Sequence, residues 1–159
     1  MLETSIIIAK KFNVEVEACE TAALIHDITK EEDNQWNEES LIKNGIQDEE
    51  ILRNRELWHS QTAILFLKNL GIEDSNIIEA VKYHTIGKSD MSDVGKVLYV
   101  ADFFEPNRNI SNIPKIGKFK TLDEMVYFVA KEKLKILQKQ GKTPHHNTLD
   151  IIEKAKLVK

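Results

Sequence analysis

Cysteine is almost missing from this chain: Cys19 is the single one, it lies in an apolar stretch, and it cannot form an intramolecular disulfide. Proline (three) and glycine (six) are also scarce, and no low-complexity tract, internal repeat or linker-like stretch interrupts the sequence. No apolar run approaches the ~18 residues that a membrane helix needs, and no basic n-region is followed by an apolar h-region. Charge of one sign is not blocked either. The 22 Lys and Arg are interspersed with 26 Asp and Glu, for a net charge of −4, so no face suited to a nucleic-acid polyanion is expected. A small anionic ligand held through a metal is still allowed. These absences lead us to expect a soluble cytoplasmic protein in a reducing compartment, with neither a nucleic acid nor a membrane as partner.

What is present is helical periodicity. At 159 residues and 42% hydrophobic, the chain is long enough for one buried core, and no convincing period-2 strand competes with the 3.6 pattern. The expectation is an all-α bundle forming one domain over residues 1–159. A short first helix over Glu3 to Phe12 is closed by Asn13. A second is expected from about Glu15 to Thr29, with Cys19, Ala22, Ala23 and His26 on its inner stripe. Residues 31–39 read as an acidic surface crossing with Trp36 as an anchor, and Glu39 to Asn44 and Asp48 to Arg53 as short helices. Another helix opens at Trp58-His59 and ends at Gly71, and the next is capped by Asp74 or Ser75. Ser92 can cap the helix that carries Asp102 and is stopped by Pro106. Asn107 to Lys120 reads as a loop. Thr121-x-x-Glu124 is a capping box before a long amphipathic helix whose Leu122 to Leu137 stripe is core or a homodimer contact. The last helix is expected near Thr148.

Four of these helices each place an ionisable group on their apolar face: His26 with Asp27, then His59, His84 and Asp102. One buried histidine is ordinary. Five buried ionisable groups each carry a desolvation cost of about several kcal/mol unless paired or metal-bound, so together they favour a metal site. Imidazole and carboxylate donors without thiolate suit iron, manganese, zinc or nickel. Two ions about 3.5–4 Å apart can activate water at neutral pH and clamp a phosphoryl group for in-line attack, which points to a phosphohydrolase.

The order His26-Asp27, His59, His84, Asp102, with Lys30 completing the motif HDxxK, resembles the HD-domain metal-dependent phosphohydrolase superfamily. More narrowly, Val81 to Gly87, Leu98 to Arg108, and Lys139-Gln140-Gly141 with His145 and Thr148 resemble the YqeK family, and the likeness covers nearly the whole chain. That resemblance implies a helical HD fold and symmetrical cleavage of diadenosine tetraphosphate to two ADP at a di-iron centre, with manganese, zinc or nickel as alternatives to iron. It implies His26, Asp27, His59, His84 and Asp102 as metal ligands, Asp27 being the bridge. Asp27 and Lys30 would be catalytic. Lys30, Thr85, Gly87, Arg108 and His145 would bind the polyphosphate, base or ribose of a purine dinucleotide. The family carries one more ligand histidine on its first helix. No histidine precedes His26 here, and the first helix reads as cut short at its start. Either a longer first helix is expected, or a chain that holds one ion weakly. The other readings are another HD nucleotide phosphohydrolase and a weakened, nucleotide-binding HD module.

Overall fold

The computed structural model describes residues 1–106, 108 and 114–157. Helix α1 (Leu2–Phe12) ends where Asn13 turns left-handed, at φ 57°. Helix α2 (Val16–Ile25) starts on the Glu15 carboxylate, which accepts the N–H groups of Glu17 and Ala18. Then come α3 (Asn34–Lys43), α4 (Glu49–Leu52), a 3-10 turn at Arg55–Leu57 leading directly into α5 (Trp58–Asn69), and α6 (Ser75–Tyr83). Helices α7 (Asp93–Phe103), α8 (Leu122–Lys139) and α9 (His146–Leu157) complete the chain. No strand occurs among the described residues. Side chains of Asp33, Asp48, Asp74, Ser92 and Thr121 satisfy the first N–H groups of α3, α4, α6, α7 and α8. Thr121 and Glu124 form the full capping box.

Helix α7 is the spine. Every residue from Val97 to Phe103 is buried, because α1, α2, α6 and α8 all pack around it. A helix apolar on every side is stable only at the centre of a bundle, and Asp102 is the one carboxylate placed there. A smaller cluster of Leu41, Ile51, Trp58 and Ile86 ties α3, α4 and α5 to the segment after α6. The Trp58 indole N–H donates to the Ile51 carbonyl at 3.0 Å. Trp36 rests on Phe66, with ring centres 5.8 Å apart.

Three boundaries differ from the sequence reading. Helix α2 stops at Ile25, not Thr29. The next carbonyls are closed by tight i to i+3 bonds, Ile28 N–H to Ile25 O (3.1 Å) and Lys30 N–H to Asp27 O (2.9 Å), while the Asp27 and Thr29 side chains are drawn towards other helices. Residues 34–38 belong to a helix and not to a surface crossing, because the Asp33 carboxylate accepts the Trp36 N–H at 2.8 Å and nucleates it. Helix α9 begins at His146, two residues before Thr148. Of the expected loop, Asn107 and residues 109–113 lie outside the described residues, and Ile116–Lys118 forms a 3-10 turn. No helix among the described residues is long and apolar enough to cross a membrane.

Candidate metal centre

Asp27 sits in the turn just past α2 and is the point on which three helix ends converge. Its Oδ1 lies 3.3 Å from Nε2 of His59, in the first turn of α5, and 3.6 Å from Nε2 of His84, the residue that caps α6. The two Nε2 atoms are 3.1 Å apart. Its other oxygen, Oδ2, lies 3.2 Å from Nε2 of His26 and 2.6 Å from the Lys30 ammonium. One carboxylate therefore faces two histidines with one oxygen and a third histidine with the other.

The histidine tautomers follow from their second nitrogens. Nδ1 of His26 lies 2.8 Å from the Ala23 carbonyl, and Nδ1 of His84 lies 2.7 Å from that of Val81. A carbonyl only accepts, so both Nδ1 atoms carry the proton and both Nε2 atoms offer a lone pair when the rings are neutral. Backbone support of this kind is what fixes a metal-ligating imidazole. The separations of 3.1 to 3.6 Å among Asp27 Oδ1, His59 and His84 match those of neighbouring donors about 2.1 Å from one cation. The donor set fits a metal.

Electrostatics agree with that assignment. Burial pushes the Asp27 carboxyl up, but bonds from His26, His59, His84 and Lys30 outweigh it and hold the group well below the usual carboxylate range. His84 is 1% exposed, and burial pushes it down, towards the neutral form, against the pull of Asp27. His26 is shifted up, because the hydrogen bond and charge of Asp27 overcome its burial. Asp102 is buried on α7. Its carboxyl is held low by the charges of Lys133 and Arg108, then of His84 and His26, against desolvation.

The other residues singled out in the sequence fall in different places. Arg108 does not stand free: its Nη2 donates to Asp102 Oδ1 at 2.6 Å. The Thr85 hydroxyl points to Ser60 at 3.5 Å, and its carbonyl accepts from Lys133. Gly87, expected to let backbone approach a ligand, sits in close packing. It has φ +73°, and a Cβ there would meet Ile151 Cδ1 at 2.5 Å and the Tyr99 ring at 3.0 Å. His145, expected at a base or ribose, lies against the start of α4. Its Nε2 lies 3.3 Å from Asp48 and 3.4 Å from Glu50. With His146 it makes a second convergent His and Glu group, but of opposite character. Nδ1 of His145 accepts the Asn147 N–H at 3.1 Å, so Nε2 bears the proton and donates it to carboxylate. That group clamps α9 to α4.

Two features of the site are absent from the sequence reading. A buried chain runs from Asn37 Oδ1 to the Thr62 hydroxyl (2.7 Å), on to the Thr29 hydroxyl (2.9 Å), and from there to the His59 carbonyl (2.9 Å). It ties the Asp27 turn to α5. The other feature is Lys133, whose ammonium end is buried behind His84 and whose pKa is pushed down by desolvation to about 8.

The sequence matches the family model of the HD domain over residues 1–107. It is 31% identical over 124 residues to a Bacillus subtilis protein named symmetrical bis(5'-nucleosyl)-tetraphosphatase, covering 77% of this chain and 67% of that one. It is 33% identical over 119 residues to a protein of the same name from Halalkalibacterium halodurans, covering 73% of this chain and 63% of the relative. The chain thus spans about two thirds of the length of these relatives. The fold superposes with a TM-score of 0.90, at 26% identity, on a crystal structure of a predicted HD superfamily hydrolase involved in NAD metabolism from Clostridium acetobutylicum, covering 99% of this chain and 86% of that one.

Proposed function

This chain belongs to the HD domain family, and we propose that it is a metal-dependent phosphohydrolase that splits dinucleoside polyphosphates, cutting diadenosine tetraphosphate symmetrically into two ADP. The observation that carries this reading is the divided Asp27 carboxylate, Oδ1 towards His59 and His84 and Oδ2 towards His26. His59, His84 and Asp27 would hold one cation; His26, Asp27 and Asp102 would hold the other. Iron is our first choice, since imidazole and carboxylate donors without thiolate suit it, as they do manganese, zinc or nickel. Two bound cations would supply the positive charge that offsets charge developing on the phosphoryl group, and would acidify the attacking water.

The protein groups do the positioning. Asp27 is ionised at neutral pH and is the acceptor on which the three rings are oriented. Lys30 is exposed on the solvent side of Asp27, 49% accessible, and can reach a polyphosphate oxygen at the mouth of the site. Arg108 presents part of its guanidinium to solvent while holding Asp102, so an incoming polyphosphate can share it. A nucleoside diphosphate half held by these two cations would leave the phosphorus at its end over Asp27, and symmetrical cleavage follows from that register. We read residues 1–159 as one HD unit, which fits α8 packing on both α7 and α9. A reducing cytoplasm suits the single buried thiol of Cys19.

The test is the product profile of the purified chain, reconstituted with iron(II) or manganese(II), on diadenosine tetraphosphate and on mononucleotides. ADP as the sole product supports the proposal. ATP plus AMP, or preferential release of phosphate from mononucleotides, would replace it with another HD activity. Nucleotide binding without turnover after metal loading would make the chain a binding module.

A further inference from the structure

Lys133 projects from α8 to the end of α6. Its Nζ donates to the carbonyls of His84 (3.2 Å) and Thr85 (2.9 Å) and lies 4.0 Å from the centre of the Tyr99 ring. Residue 133 lies 49 positions from the first of those carbonyls, so the contact belongs to the tertiary fold and not to helix capping within one segment. The last carbonyls of a helix have no partner within it, and a cation there also meets the negative end of the helix dipole. His84 caps that end of α6, and Gly87 N–H already closes the turn on the Tyr83 carbonyl at 2.7 Å.

His84 is thereby gripped at two points. Its ring is tied through Nδ1 to the Val81 carbonyl, and its backbone through the carbonyl to Lys133. With both ends held, Nε2 has little choice but to point at Asp27 Oδ1 and His59 Nε2. Lys133 touches neither Asp27 nor His59 in any contact among the described residues, and its charge reaches Asp102 only through space.

We infer that Lys133 is a positioning residue of the metal centre, acting through the His84 and Thr85 carbonyls to hold His84 Nε2 in the donor set. The inference rests on the reading of His84 as a metal ligand. Without the ammonium, the His84 and Thr85 carbonyls lose that donor, the turn after α6 relaxes, and the His84 ring swings off the line to Asp27.

A double-mutant cycle on the full chain separates this role from a merely structural one. Four proteins are compared: wild type, Lys133→Met, His84→Ala and the double variant. For each, the manganese(II) dissociation constant is measured by the EPR signal of free ion, alongside the helical circular dichroism. Lys133→Met should weaken manganese(II) binding about 10- to 100-fold, the usual cost of losing the group that orients a ligand. Lys133→Arg, which still donates to carbonyls, should recover part of that loss. In the His84→Ala background, Lys133→Met should change the affinity by less than about 2-fold, because the ligand it acts through is gone. The imidazole nitrogen shifts of His84 in the metal-free Lys133→Met protein should also move from the Nδ1-protonated pattern. Equal weakening in both backgrounds, or none in either, overturns the inference. If His84→Ala leaves the manganese(II) affinity unchanged, the ligand reading itself has failed and this inference falls with it. Should Lys133→Met not fold, Lys133→Gln is carried through the same cycle and judged by the same outcomes.

Discussion

His59 and His84 bring their Nε2 atoms to within 3.1 Å of each other above a single oxygen of Asp27. Two imidazoles this close cannot both be charged without a large repulsion, and burial already presses His84 towards neutrality. Asp27 supplies the negative charge that makes a cation the natural occupant.

Asp27→Ala removes the carboxylate that faces His59 and His84 with one oxygen and His26 with the other. Metal retained after gel filtration should fall to background, and turnover should drop by more than about 10³-fold, the scale of losing several kcal/mol of charge stabilisation. Atomic absorption and a product assay read the two effects. A variant that keeps both metal and activity would falsify the assignment of Asp27.

Lys30 and Arg108 should separate kinetically. The Lys30 to Asp27 pair is on the exposed side of the site, where such a pair is worth about 0–1 kcal/mol, so Lys30→Ala should leave the thermal midpoint nearly unchanged. Its KM for the dinucleotide should still rise about 10-fold, or about 1.4 kcal/mol. Arg108 holds the buried carboxylate of Asp102 at 2.6 Å, so Arg108→Ala should lower kcat and metal retention as well as raise KM. Identical kinetic profiles for the two variants would contradict this division of roles.

The Thr62 hydroxyl is the middle of the chain from Asn37 to Thr29. Thr62→Val keeps the shape and strands the Asn37 Oδ1 acceptor, at a cost of about 1–3 kcal/mol in urea unfolding. Because Thr29 then loses a partner beside the Asp27 turn, metal affinity should weaken with it. Unchanged stability would mean that water replaces the hydroxyl at no cost.

Cys19 offers a pH test away from the metal centre. Burial first, and then the charges of Glu15 and Asp93, push its thiol from 9.0 up to about 12. The unfolded chain releases this proton near pH 9 while the folded chain keeps it. Stability from this group is therefore complete below pH 9 and is lost as the pH climbs from 9 towards 12. The difference in unfolding free energy between wild type and Cys19→Ala should shrink over that range. Iodoacetamide should label the folded protein far more slowly than the unfolded one at pH 8. Rapid labelling of the folded protein would show the thiol to be accessible.

Much of this architecture was legible in the order of residues. Asn13, Asp74, Ser92 and the Thr121 and Glu124 box set helix ends through contacts within a few residues of themselves, and all act where the sequence suggests. The spacing of His59 and His84 within their apolar stripes likewise pointed to the inside of the bundle. Lys133 could have been noticed in the same way. It falls four residues after Val129 and four before Leu137, on a stripe otherwise read as apolar. A lysine on such a stripe usually snorkels to water, and nothing local says that two carbonyls are waiting for it.

By itself the sequence determined the helices, their inward faces and the roster of groups that would have to be buried together, because 3.6-residue periodicity and capping are local physics. The tertiary structure alone decided where α2 stops, which oxygen of Asp27 meets which imidazole, that Gly87 packs against Ile151 and Tyr99, and that His145 meets Asp48 and Glu50. Those outcomes depend on contacts between segments tens of residues apart, such as the 30 between Thr29 and His59 and the 49 between Lys133 and His84. Only the crossing of packed helices brings such groups within hydrogen-bond reach.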